Sequence, residues 1–304
     1  MRHLPIRPLL KWAGGKRQLL PHLRAFYPGR FNRYIEPFLG SGAVFFDLYA
    51  AGRLRHRDAI LIDSNADLIG CYETVRDRPE EVARALDELA DAYDAGGRTH
   101  YYDVRDRQFN PGRERLRQAG GRIPYTAELA AMFIYLNRTG FNGLFRLNAR
   151  GAFNVPMGRY ERPKICDRAR LFRVAEALAD SRVSLCHGPF DEAGDIAGPG
   201  DFLYIDPPYA PLSPTANFTA YTHDRFDAAD QRRLHAIVIG LVRRGCHVLL
   251  SNSTAEAITA LYASDGETIR SGLKAIRVPA RRAINRNSTG RGPVEEYLIT
   301  NIDA

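Results

Sequence analysis

The chain has 304 residues, 45% of them hydrophobic, enough for a full core and two lobes. No apolar run approaches the ~20 residues of a membrane span, and the start, Met1-Arg2-His3-Leu4-Pro5, lacks the apolar centre of a secretory leader, so a cytoplasmic protein is expected, with a monomer as the default. Lys and Arg total 43 against 35 acidic residues, and the net charge of +8 favours a polyanionic partner.

In chain order, Arg33 to Glu36 reads as a short strand, followed by Gly40-Ser41-Gly42 and an apolar helix from Ala43 to Ala51. A second strand, Ala59 to Ile62, ends at Asp63 and leads into a helix from about Asn65 to Arg76. This βαβ beginning implies a parallel sheet. The middle is different. Glu80 to Tyr93, Tyr101 to Phe109 and Ala127 to Asn137 are helix candidates, residues 110–124 read as an arginine-rich loop, and Leu144 to Val155 alternates about Asn148-Ala149-Arg150-Gly151 as a hairpin would. The α/β pattern then resumes with a helix from Arg168 to Ala179, strands at Val183–Cys186 and Phe202–Ile205, a helix over Ala228–Arg243, a strand at Cys246–Leu250, a short helix at Thr254–Tyr262 and a last strand at Glu296–Thr300. The expected organisation is one discontinuous α/β domain, 1–75 plus 165–304, with 76–164 inserted as a second lobe. Turn residues Pro211, Pro214 and Asn217 suggest a lid after Asp206.

Asp201-Phe202-Leu203-Tyr204-Ile205-Asp206-Pro207-Pro208-Tyr209 is the most informative stretch. Two prolines cannot donate to a sheet ladder, so the strand stops there. A carboxylate, a fixed carbonyl and an aromatic ring are left at the carboxyl edge of the sheet, where open α/β sheets bind ligands. Asp206 and the Pro207 carbonyl are two acceptors for the hydrogens of an exocyclic amine, and Tyr209 is a flat face for an unstacked base. An Asp that merely caps a turn would leave the same residues. Glu36-Pro37-Phe38-Leu39-Gly40-Ser41-Gly42 is a strand–turn–helix junction whose glycines admit close approach of a ligand. A dinucleotide fingerprint would place a third glycine where Phe45 stands, so a nucleoside-like ligand without a diphosphate fits better. Asp63, 21 residues beyond Gly42, can accept ribose hydroxyls. In Lys11-Trp12-Ala13-Gly14-Gly15-Lys16, Trp12 either packs on a sulfonium by cation–π attraction or anchors the N-terminus to the core, and Lys16 can meet a carboxylate. Cys71, Cys166, Cys186 and Cys246 form no Cys-x-x-Cys pair, so buried reduced thiols are expected, with neither zinc nor disulfides.

These segments together resemble the Dam-type family of DNA adenine methyltransferases. A further matching piece is Tyr135-Leu136-Asn137-Arg138-Thr139-Gly140-Phe141-Asn142-Gly143-Leu144-Phe145-Arg146, continuing to Phe153-Asn154-Val155-Pro156-Met157-Gly158-Arg159-Tyr160; the likeness runs from about residue 8 to 301. It implies a Rossmann-like methyltransferase sheet with helices on both faces and an inserted helical plus β-hairpin target-recognition domain. It also implies S-adenosylmethionine as methyl donor, no metal, and the N6 amine of adenine in duplex DNA as acceptor, in a short site of the GATC type. The residues it points to for the cofactor are Trp12, Lys16, Phe38, Gly40, Gly42, Asp63, Phe190 and Asp206; for catalysis Asp206, Pro207 and Tyr209; for DNA Arg138, Asn142, Leu144, Arg146, Pro156 and Tyr160. Arg146 is the candidate for guanine readout and Leu144 for a wedge, the latter equally suited to the hairpin core. Arg281, Arg282, Arg286 and Arg291 would line the phosphate track. One departure stands out: Pro189 precedes Phe190 where the family often has an acidic residue. The competing readings are methylation of a cytosine or glutamine amine, a non-catalytic DNA-binding relative, and a nucleotide-dependent oxidoreductase, which the missing third glycine disfavours.

Overall fold

The computed structural model describes residues 5–12, 14–118, 124–211, 226–281 and 293–304. Its centre is a seven-stranded sheet in the order β3-β2-β1-β4-β5-β7-β6, built from β1 (Tyr34–Glu36), β2 (Ala59–Asp63), β3 (Val183–His187), β4 (Phe202–Ile205), β5 (His247–Ser253), β6 (Lys274–Arg281) and β7 (Pro293–Thr300). β3, β2, β1, β4 and β5 pair in parallel. β7 runs antiparallel to both its neighbours. This is the expected Rossmann-like sheet.

Helices α1 (Leu20–Leu23), α2 (Ala43–Ala50), α3 (Ala66–Asp77), α4 (Pro79–Asp103), α5 (Asn110–Gln118), α6 (Ala127–Thr139), α7 (Arg168–Leu178), α8 (Glu192–Ile196), α9 (Ala228–Arg243), α10 (Glu256–Tyr262) and α11 (Gly266–Arg270) surround it. Their starts are set by side chains that take up orphan backbone N–H groups. Asn65 accepts from Asp67 and Leu68, Thr126 from Leu129, Asp167 from Arg170, and Asp227 forms a reciprocal capping box with Asp230. β4 shows how the sheet is covered on both sides. Phe202 and Tyr204 belong to one apolar cluster, Leu203 and Ile205 to the other, as a strand's period of two requires.

The sheet reverses direction of winding between β1 and β4: from β1 the chain proceeds outward to β2 and β3, and from β4 outward to β5. The crevice beyond the carboxyl ends of these two central strands is where such sheets place ligands. Glu36-Pro37-Phe38 leaves β1 there and Asp206-Pro207-Pro208 leaves β4.

One expectation needs correction. Residues 110–118, read as loop, are helix α5, which follows α4 through a π-helical turn at Val104–Phe109. Tertiary bonds override the poor local composition: Arg113 forks onto Asp67 at 2.7 and 2.5 Å and also donates to the Gly151 carbonyl at 2.9 Å. Strand β6 carries Pro279 in its interior, which it tolerates as the edge strand of the sheet. The hairpin expected over Leu144–Val155 turns at Asn148–Gly151 and is closed by the antiparallel bridge Leu147–Phe153 and by Asn148 N–H to the Ala152 carbonyl at 2.9 Å; a second isolated bridge joins Gly140 and Met157.

Within 76–164, Tyr101, Phe109, Phe133 and Tyr135 share one apolar cluster with Phe45, Leu61 and Tyr204 of the sheet layer. The four cysteines are free, with Cys71 and Cys246 buried and Cys166 and Cys186 half-buried. The lid expected over Pro211–Thr222 lies outside the described residues apart from Pro211, as do Arg282, Arg286 and Arg291.

Candidate active site

Four segments distant in sequence meet at the β1/β4 crevice. The Asp206–Tyr209 loop is clamped by neighbours of β5 and α9: Gln231 Nε2 donates to the Pro208 carbonyl at 3.0 Å, and Ser253 Oγ to the Ala210 carbonyl at 2.7 Å. Pro207 is buried and Pro208 exposed. Lys16, only 6% exposed, brings its Nζ to 2.8 Å from Asp206 Oδ1. The same ammonium donates to the Gly14 carbonyl at 2.7 Å and lies 4.4 Å from the centre of the Tyr209 ring. Tyr209 is fixed from behind by a 2.7 Å hydrogen bond from its hydroxyl to Glu296 of β7. A carboxylate and an aromatic face thus already surround a nitrogen that bears hydrogens.

Burial pushes the Asp206 carboxyl above the usual range, against the opposing pull of Lys16 and Ser251. Glu36, at the end of β1, is 2% exposed and takes a 2.8 Å hydrogen bond from Tyr34. Burial pushes it well above the carboxylate range, with the nearby charges of Asp206 and Asp63 adding to the effect. Both acids are thus raised by burial, Glu36 more strongly, while Asp206 alone has a cation, Lys16, beside it.

On the β1–β2 side, Asp63 accepts the backbone N–H of Gly40 on Oδ2 and of Asn65 on Oδ1, both at 2.9 Å. It thereby ties the glycine turn to β2 and keeps a second lone pair on each oxygen. Its carboxyl is raised by burial and lowered by those two donors. Gly40 has φ +48°, and a Cβ there would lie 2.9 Å from Trp12 Cδ1. Gly42 is also left-handed, at the N-terminus of α2. The Trp12 ring stacks on Phe145 at 6.0 Å and tilts against Phe133 at 6.4 Å. It therefore reaches both the glycine turn and the hairpin, and the two uses expected of it are compatible. Phe38 is half-buried and stacks on Phe190 at 5.3 Å. Phe190 is itself buried, with the Arg233 guanidinium 4.8 Å from its ring centre. Phe38 is thus the more open face of the pair, and Phe190 braces it.

The residues expected at DNA separate into two groups. Asn142 is exposed in a left-handed turn with φ +54°, and Pro156 is exposed beside it, its carbonyl taking the Phe141 N–H at 2.8 Å. Arg146 is held by Asn154, through Nε to Oδ1 at 2.7 Å and through an Nη to the carbonyl at 3.3 Å. Tyr160 carries Lys11 Nζ 4.2 Å from its ring centre. Leu144 is buried, 8% exposed, among the hairpin's apolar side chains. Arg138 is 9% exposed and donates to the Leu9 carbonyl beneath the N-terminal segment. Its burial, and Arg170 nearby, pull its pKa down to about 10. Sequence reasoning passed over four residues: Glu36, Ser251, Glu296 and Phe141. The last is 46% exposed next to Asn142, an apolar ring in solvent. Only Phe141 had a usable signal, an aromatic residue inside a Gly-rich turn.

Beside this hairpin opens a cavity of about 640 Å³, lined by Arg98 and Tyr102 of α4 and by residues 156–161. Its charged lining residues are Arg98, Arg159 and Glu161, and the Arg98 guanidinium lies 5.2 Å from the centre of the Tyr102 ring. Among the described residues, no cluster of His, Cys, Asp or Glu could hold a metal ion, and no helix is long and apolar enough to cross a membrane.

Comparison with known proteins gives the family. Residues 12–284 match the family model of D12 class N6 adenine-specific DNA methyltransferases. The chain is 36% identical over 298 residues to the type II methyltransferase M1.LlaDCHI of Lactococcus lactis subsp. cremoris, covering 97% of this chain and 95% of that protein. It is 35% identical over 309 residues to the type II methyltransferase M.MjaIII of Methanocaldococcus jannaschii, covering 98% and 100%. It is 37% identical over 292 residues to the DNA adenine methylase of Escherichia coli K12, covering 96% and 94%. The chain belongs to the D12 class of N6 adenine-specific DNA methyltransferases.

Proposed function

We propose that this chain methylates adenine N6 in duplex DNA at the β1/β4 crevice, with Asp206, the Pro207 carbonyl and Tyr209 holding the target amine. The observation that carries the assignment is the seat of Lys16. An N–H-bearing nitrogen already rests between the Asp206 carboxylate and the Tyr209 ring, so the two groups form a cage for a nitrogen that develops positive charge.

The residues present suit S-adenosylmethionine. Lys16 offers a cation to its carboxylate, Asp63 two acceptors to its ribose hydroxyls, and Phe38 a ring to its adenine, with Phe190 behind. The glycine turn at Gly40 and Gly42 leaves room that a Cβ would fill, with Trp12 closing one wall. When bound, the cofactor would supply a methyl carbon on a sulfonium with a neutral thioether as leaving group, and the ammonium formed on the amine would then release one proton to solvent. Asp206 accepts a hydrogen bond from the amine, turns its lone pair toward the methyl carbon, and stabilises the charge that develops. Tyr209, fixed by Glu296, gives the everted base its stacking face.

DNA reading falls to Asn142, Arg146, Pro156 and Tyr160, with Phe141 as the wedge in place of the buried Leu144. Arg146, already oriented by Asn154, suits the two major-groove acceptors of a guanine, which is compatible with a site of the GATC type.

Incubating the protein with labelled S-adenosylmethionine and genomic DNA, then mapping modified adenines, tests substrate and site together. Asp206→Asn should abolish incorporation while duplex affinity stays within about twofold. Retained turnover in that variant refutes the role given to Asp206.

A further inference from the structure

Asp206 does not meet the crevice alone. Ser251 sits on β5 beside it: Ile205 pairs with Leu250, so the next residues along the two parallel strands are neighbours. Tyr204 and Asp206 lie on one face of β4, and Leu249 and Ser251 on the same face of β5, because side chains alternate along a strand. Ser251 is fully buried. Its Oγ donates to Asp206 Oδ1 at 2.9 Å and lies 3.1 Å from the hydroxyl of Tyr204, which is 1% exposed.

The direction of these hydrogen bonds follows from their chemistry. A serine hydroxyl has one proton, and an ionised carboxylate can only accept. Ser251 must therefore donate to Asp206, which leaves its oxygen to accept from Tyr204. Burial holds the Tyr204 phenol well above its ordinary pKa, so it keeps the proton it donates. The order is fixed as Tyr204 to Ser251 to Asp206.

We propose that Ser251, oriented by Tyr204, is a positioning residue for methyl transfer: it fixes the rotation of the Asp206 carboxylate and keeps it ionised. The inference rests on the role given to Asp206 above. Oδ1 has two donors, Lys16 and Ser251. Fixing Oδ1 fixes where Oδ2 points, and so where an amine hydrogen is received. Lys16 is also the cation offered to the cofactor's carboxylate. Ser251 has no competing role, and it is the donor that stays on Asp206 while Lys16 is shared.

The groups facing Asp206 bear on its ionisation from several elements. Lys16, from the turn ahead of α1, favours the charged form, as does Ser251 from β5. Glu296 from β7 opposes it, and the interaction of Glu36 from β1 with Asp206 is likewise unfavourable. Removing the Ser251 hydroxyl shifts this balance toward the protonated acid, which lacks the negative charge that stabilises the developing ammonium and is a weaker acceptor.

The experiment is the pH profile of single-turnover methylation for wild type, Ser251→Ala, Ser251→Thr and Tyr204→Phe, with duplex affinity measured alongside. In Ser251→Ala the acid limb should move up by about one pH unit and the plateau rate fall about tenfold to a hundredfold, as expected for a hydrogen bond to a charged group. Duplex affinity should not change. Ser251→Thr, which keeps the hydroxyl, should restore the wild-type acid limb. Tyr204→Phe keeps the shape of the core and should move the limb in the same direction by less; it carries the test if Ser251→Ala does not fold. Superimposable acid limbs in Ser251→Ala and Tyr204→Phe overturn the inference, including the case where rates fall uniformly at every pH. Methylation by Asp206→Asn would instead overturn the parent assignment, which keeps the two failures distinct.

Discussion

Replacing Lys16 by Met perturbs the centre of the site with the least change in volume. The Lys16–Asp206 pair is 2.8 Å long, with side chains 6% and 19% exposed. Removing one partner of a buried pair costs about 3–5 kcal/mol, because the other charge is left uncompensated. Asp206 retains the Ser251 hydrogen bond and a share of solvent, so a loss of about 2–3 kcal/mol at neutral pH is expected. The pH dependence has a definite sign. Burial already holds the folded-state carboxyl above its unfolded value, and without Lys16 it rises further. Between the unfolded value and the raised folded one, the native state binds more protons than the unfolded state, so stability falls as pH rises through that window. The variant widens the window. Its deficit against wild type is therefore full above the raised value and shrinks as pH falls toward about 3.9, the ordinary Asp value. Urea denaturation of both proteins at about pH 7.5 and about pH 5 measures the difference. A deficit equal at the two pH values, or none at either, would refute the claim that the pair is a buried charge–charge contact with Asp206 ionised.

Arg146→Ala should cost about 1–3 kcal/mol of discrimination at one base pair, read from methylation of single-substituted duplexes; uniform loss on every duplex would make it a phosphate contact. Arg138→Met should lower stability by about 1–3 kcal/mol through loss of its bond to the Leu9 carbonyl and leave the salt dependence of duplex binding unchanged. A shallower salt slope would return Arg138 to the DNA. Gly40→Ala introduces a Cβ 2.9 Å from Trp12 Cδ1 at a φ of +48° and should abolish cofactor binding in calorimetry. Unchanged affinity would show that the turn does not approach the cofactor.

The parts of the molecule legible in sequence are those whose cause is local. β4 is marked by a four-residue apolar run cut off by two prolines, and β1 by the glycine turn after it. Their meeting at one sheet edge follows from the βαβ pattern alone. What stays hidden depends on partners far along the chain. Ser251 follows the apolar run Val248–Leu250 in β5 and nothing near it marks a contact with Asp206; only the parallel register of β4 and β5 creates one. Glu296 likewise touches Tyr209 across 87 positions, because β7 folds back antiparallel beside β5. Arg138 misleads for the opposite reason. An arginine in a basic chain invites a phosphate partner, but α6 turns this one inward under Leu9.

The segment from Asn137 to Tyr160 shows why a stretch can be recognisable and still lack local folding logic. Its hairpin has two isolated bridges and few backbone bonds of its own, among them Asn148 N–H to the Ala152 carbonyl at 2.9 Å and Asn154 N–H to the Arg146 carbonyl at 3.1 Å, and bonds from outside add to them. Tyr101 and Arg105 donate to the Val155 carbonyl at 2.9 and 3.0 Å, Asn110 exchanges two hydrogen bonds with the Phe153 backbone, and Arg113 donates to the Gly151 carbonyl. Part of the arginine-rich region thus serves the fold by clamping the hairpin. Asn137, 4% exposed, completes the frame. Its Oδ1 accepts the Lys11 N–H at 2.8 Å, and its Nδ2 donates to the carbonyls of Lys11 at 2.7 Å and Gly143 at 2.8 Å. A Cβ on Gly143 would lie 2.5 Å from Lys11 Cβ, so the two backbones pass at a distance only glycine allows. One buried amide therefore joins the segment that carries Trp12 to the turn that carries Asn142. The wall proposed for the cofactor and the tip proposed for DNA are held in one hydrogen-bonded frame.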